Sequence, residues 1–155
     1  RLQYMYYFGA ALPSEPKVIY TGALDANVIE IEDLEHKLTG VLRGASYGWQ
    51  FSEAPYIRFV EAADYETLFR MLDLGRIDAL IAPELLAIAH IRKFGPFRIK
   101  RSDLLLQGKP SFIALSRQSD FFTDGSFTVL EKHLIDMRQD GTFEEIYGRY
   151  ANTDS

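Results

Sequence analysis

The sequence predicts an α/β domain built on a largely parallel sheet flanked by helices. Three observations carry that expectation. Short β-rich runs alternate with stretches whose apolar residues recur at helical spacing. Gly and Pro punctuate the junctions between them. At 155 residues, with 47% hydrophobic and 25% charged side chains, the chain is long and apolar enough to bury a real core.

The elements follow in order. Tyr4 to Phe8, YMYYF, is a β-rich aromatic run, and AALPSEP after it is a turn or crossing segment with two prolines. KVIYTG (17–22) reads as a short strand. Asp33 and Leu34 fall in a short helical turn, LTGVL (38–42) is a strand, Ser46 to Ala54 a helix, and YIRFV (56–60) again a strand. DYETLFRMLDLG is the clearest helix. Asp64 suits its N-cap, Tyr65, Leu68, Phe69 and Leu72 form one apolar stripe, and Gly75 lies just past its end. IDALIA (77–82) reads as a buried strand. PELLAIAHIRKFG follows as a helix, with Pro83 in its first turn, Arg92 and Lys93 at its C-terminal dipole and Gly95 as its stop. FRIK and SFIALS (111–116) are the last strands. Two helices close the chain. One carries the stripe Phe127, Leu130, Leu134 and Met137. The other starts at Thr142 in a capping box with Glu145 and carries Phe143, Ile146, Tyr147 and Tyr150.

Composition excludes several function classes. A net charge of −5 and a pI of about 5.2 argue against a nucleic-acid partner. With no cysteine there are no disulfides and no thiolate metal sites. His36, His90 and His133 lie far apart, without metal spacing or a nucleophile motif beside them, so no metal, cofactor or catalytic site is expected. Asp73, Asp78, Asp136, Asp140, Glu144 and Glu145 read as caps and solvated faces. No apolar run approaches the ~20 residues of a membrane span, and no signal-peptide pattern is present. The chain opens on Arg1 and reads as a processed protein or a cut piece.

One loop invites function. In open α/β sheets ligands bind beyond the carboxyl ends of the strands. Gly44, Ala45 and Ser46 follow the strand LTGVL and lead toward a helix, whose free N–H groups and dipole favour an anion. A P-loop reading fails, because Gly40 and Gly44 are four apart and no Lys-Ser or Lys-Thr follows. A dinucleotide fingerprint fails on the spacing of Gly44 and Gly48. The plain alternative is that Gly44 makes a tight turn and Ser46 caps a helix. Tyr47 and Trp49 adjoin the loop, where they either line a cleft or join the core.

Four segments in order, IEIEDLEHKLTGVLRGASYG, LFRMLDLGRIDALIA, FIALSR and LIDMRQDGTFEEIYGRY, resemble the family 3 extracellular solute-binding proteins. These are bacterial receptors of the type II periplasmic binding fold, of the amino-acid ABC-transporter type. The resemblance covers roughly the later two-thirds of the family chain. It implies two lobes that close on a small ligand: residues 1–16 ending lobe 1 and crossing over, 17–110 as lobe 2, and 111–155 crossing back into helices that belong with lobe 1. It implies a periplasmic or extracellular protein that captures an amino acid or organic acid and delivers it to the membrane permease of an ABC transporter. A ligand-sensing domain of a signalling receptor and a dehydratase on the same fold are the alternatives. The first half of lobe 1 would be absent, and the apolar surface so exposed predicts a homodimer or segment exchange.

The resemblance assigns Gly44, Ala45 and Ser46 to a loop whose backbone N–H groups and hydroxyl hold a ligand carboxylate. Arg43 falls where a contacting side chain is common; it either bonds an acidic ligand or is a solvated surface arginine. Arg1 falls at or next to the arginine that pairs with the ligand carboxylate. Pro83 stands where the family often places an aspartate for the ligand's ammonium group. Glu84, one residue on, either serves with a shift or favours its helix N-terminus, and the second reading is preferred.

Overall fold

The computed structural model describes residues 4–47, 51 and 54–151. The chain divides into two compact units: Glu15–Gly108, and Arg1–Ser14 together with Lys109–Ser155.

The first of these carries a five-stranded sheet. Its strands are β2 (Lys17–Gly22), β3 (Leu38–Leu42), β4 (Arg58–Ala62), β5 (Ala79–Pro83) and β6 (Ile99–Leu106), in the order β4-β3-β5-β2-β6. β3 pairs parallel with β4 and β5, and β2 pairs antiparallel with β5 and β6. Four strands therefore point one way and β2 runs against them. The sheet is mixed rather than simply parallel, because the chain enters it along β2 in the opposite sense.

Apolar alternation explains why the sheet is buried on both faces. Val18 and Tyr20 of β2 and Leu80 and Ala82 of β5 pack on one side with Leu68, Phe69 and Leu72 of α1 (Tyr65–Asp73). Ile19 and Ile81 point to the other side, against Val28, Leu34, Val41 and Leu106. Central strands covered on both faces read as continuous apolar runs. Asp64 caps α1, its carboxylate accepting the Thr67 N–H at 2.7 Å. That bond holds the Asp64 carboxyl below the usual range. A side chain at Gly40 would meet Ile77 Cδ1 at 2.5 Å and Leu68 Cδ2 at 3.0 Å, so glycine lets α1 lie close on β3.

α2 (Glu84–Phe94) follows β5 directly, with Pro83 at the N-cap position and Gly95 closing it. Pro83 has no side-chain donor or acceptor to cap with. The Glu15 carboxylate does that work, accepting the Leu85 N–H at 3.0 Å. His90 stacks on Phe69 at 4.6 Å and 15°.

The other unit holds β1 (Met5–Leu12) antiparallel to β7 (Ser111–Ser116), with a register shift between Tyr7 and Ala11. β1 runs four residues beyond the aromatic run that predicts it. A short helix, α3 (Asp120–Thr123), has no apolar stripe to announce it; Ser119 caps it. α4 (Phe127–Gln139) buries Leu134, while Leu130 stays 40% exposed. Glu131 of α4 accepts the Gly9 N–H and the Tyr6 hydroxyl, each at 2.8 Å, and so ties the helix to the irregular part of β1. α5 (Thr142–Ala151) does not start with the expected capping box. Thr142 is already helical, and its N–H and hydroxyl both go to the Asp140 carboxylate, at 2.9 and 2.6 Å. Glu145 pairs with Arg149 instead, because that partner lies one turn ahead on the same face.

Candidate functional site

The candidate loop leaves the carboxyl end of β3. Arg43 donates its N–H to Ala62 at 2.9 Å, extending the contact with β4. Ala45 donates to the Leu42 carbonyl at 3.1 Å, which closes a tight turn. Gly44 has φ +74°, and a Cβ there would meet nothing within 4 Å. Glycine is needed for the backbone angle, not for space.

The turn narrows the donor set. Ala45 has its N–H turned into the loop, so the donors left to a ligand among the three residues are the N–H groups of Gly44 and Ser46 and the Ser46 hydroxyl. All three residues are exposed. Tyr47 then folds back: its hydroxyl accepts the Leu42 N–H at 2.8 Å and lies 3.5 Å from the Tyr65 hydroxyl. Burial, and then the Tyr47 hydroxyl beside it, pushes the Tyr65 phenol above its ordinary value. Tyr65 thus stays neutral and remains a hydrogen-bond partner for Tyr47.

A cavity of about 340 Å³ adjoins the loop, with Ser46, Tyr47, Phe51, Phe59 and Glu61 in its wall. Phe51 sits between Tyr47 and Phe59, its ring 6.4 and 6.1 Å from theirs. Arg43 pairs with Glu61 at 3.7 Å with both side chains mostly exposed, a geometry worth little to stability. Lys17, at the start of β2, places its ammonium 5.7 Å from the centre of the Tyr47 ring. Sequence reasoning missed Lys17; periodicity marks it only as the first residue of a strand.

The other expected residues fall differently. Glu84 is the first residue of α2 and its carboxylate pairs with Arg101 at 2.6 Å. Its N–H donates to Pro16 at 3.0 Å. Arg1, Trp49 and most of the helix expected at 46–54 lie outside the described residues. Among the described residues, no three His, Asp or Glu side chains are grouped to hold a metal ion, and no helix is long and apolar enough to cross a membrane.

No protein-family model matches the chain. No curated protein matches it in sequence. Solved structures match its fold. Substrate-binding domain 2 of GlnP from Lactococcus lactis, in an open conformation, is 22% identical with a TM-score of 0.66, over 100% of this chain and 66% of that one. An ancestral arginine-binding protein bound to arginine is 21% identical with a TM-score of 0.67, over 92% and 64%. The GluR0 ligand-binding core from Nostoc punctiforme, in complex with L-glutamate, is 16% identical with a TM-score of 0.64, over 97% and 66%. The chain thus has the α/β fold of periplasmic-binding-protein lobes and spans about two thirds of the length of these structures.

Proposed function

We propose that the chain is the larger part of a family 3 extracellular solute-binding protein. In this reading it captures a small polar solute with a carboxylate, an amino acid or organic acid, outside the bacterial cytoplasm. It then delivers the solute to the permease of an ABC transporter and carries out no reaction on it. The observation that supports this best is the turn Arg43–Tyr47 at the carboxyl end of β3, on a fold whose solved examples include an arginine-binding protein bound to arginine and a ligand-binding core in complex with L-glutamate.

The chemistry is direct. A ligand carboxylate accepts from the Gly44 and Ser46 N–H groups and from the Ser46 hydroxyl. Hydrogen bonds to a charged group are worth roughly 1.5–3 kcal/mol each. Pro83 stands where the resemblance would place an aspartate for an ammonium group, and Glu84 is tied to Arg101. Organic acids are therefore in range beside amino acids.

A thermal-shift screen against amino acids and small organic acids tests the reading, because a ligand that binds only the native state raises the midpoint. Ser46→Ala should weaken the hit roughly tenfold or more through one lost charge-assisted bond. Unchanged affinity in that variant would remove the loop from the site.

A further inference from the structure

Lys17 opens β2 and lies in register with Pro83 of β5 and Leu106 of β6, at the carboxyl ends of both strands. That is the same end of the sheet as the candidate loop. Its side chain is half-buried, and its ammonium stands over the ring of Tyr47, 5.7 Å from the centre. Tyr47 follows Ser46 directly and is anchored through its hydroxyl to Leu42. One ring therefore spaces the ammonium from the loop.

Among the described residues, no carboxylate lies within 4.0 Å of that ammonium. The acids at this end have other partners. Glu84 holds Arg101, Glu15 holds the Leu85 N–H, and Glu61 holds Arg43. Lys93 also stands over a ring, that of Phe94, but is exposed and solvated. A half-buried ammonium that stands over a ring, with no described carboxylate in reach, gains a charge-assisted bond when an anion arrives.

We infer that Lys17 is a second anion-binding group of the site, and that the solute carries two acidic groups, one on the Gly44–Ser46 loop and one on Lys17. The inference rests on the proposed receptor function. Tyr47 sets the separation between the two anion positions. Arg43 takes no part, because it is exposed and turned toward Glu61.

The test is calorimetric titration of the chain with L-glutamate and L-glutamine, which differ by one acid against one amide. Wild type should prefer L-glutamate by roughly tenfold or more. Lys17→Gln should erase that preference and leave L-glutamine binding within about threefold of wild type, and Lys17→Arg should restore much of it. Unfolding midpoints of both variants establish that they fold. A preference that survives in Lys17→Gln, or no preference in wild type, overturns the inference. Ser46→Ala separates the two failures. If it weakens both probes while Lys17→Gln alters neither, only the inference falls. If it alters neither, the loop leaves the site and the inference falls with it; if neither probe binds wild type, the inference falls, and the thermal-shift screen against the wider set of acids decides the receptor reading.

Discussion

The two units place their apolar residues very differently. In Glu15–Gly108, Val18, Ile19, Leu68, Phe69 and Leu80 are wholly buried, on two faces of one sheet. In Arg1–Ser14 with Lys109–Ser155, the buried cluster is Phe8, Ala10 and Leu134, while Val129 stays 61% and Tyr150 66% exposed. Helical stripes are present in both. The lesson is that an apolar stripe specifies which face a helix turns inward, not how fully that face is covered.

Truncating the two cores should separate them most. Phe69 packs against Tyr20, His90 and Phe97 and is inaccessible to solvent. Phe69→Ala should cost about 3–5 kcal/mol in denaturant unfolding. Leu134→Ala, in the thinner core, should cost about 2 kcal/mol, near the low end for such changes. Equal costs would break the contrast.

The unit with the five-stranded sheet also contains the turn at Gly44. Gly44→Ala meets no neighbour but forces a left-handed backbone, so it should cost roughly 1–2 kcal/mol in stability. It should also weaken ligand binding by displacing the Ser46 donors. A stable variant with full affinity would detach the turn from the function.

A pH series sharpens the comparison further. Burial in the stack of Phe69, Phe94 and Phe97 lowers the His90 pKa; Glu66 and Asp64 act against that shift, and Lys93 reinforces it. The unfolded chain then takes up a proton near pH 6.5 while the folded chain resists it. This contribution to stability is complete above that pH and is lost as pH falls through the folded value. His90→Phe should flatten the stability profile on the acid side of about pH 6.5. An unchanged profile would contradict the role of the stack. The smallest effect belongs to Arg43→Ala, within about 0.5 kcal/mol of wild type, because its ion pair is solvated.

Much of the fold is legible in particular residues. KVIYTG, LTGVL and SFIALS form strands with the expected ends, since each is an apolar run bounded by turn residues. Asp64 and the stripe Leu68, Phe69, Leu72 give α1 with its cap. β6 extends through Lys100, Arg101 and Asp103, charges that hide a strand whose inward residues are Ser102 and Leu106. The reversed direction of β2 is equally hidden, because strand periodicity carries no direction. At the candidate loop the turn residues are legible, but the bonds that shape it are not. The Tyr47 hydroxyl on Leu42 is a folded-chain contact, and Lys17 reaches Tyr47 across thirty positions.

The most direct measurement is an amide NMR titration of the chain with L-glutamate. The Gly44 and Ser46 resonances should move on saturation, while Ala45, already bonded to Leu42, should move least of the three. Saturable binding that leaves Gly44 and Ser46 in place would contradict it.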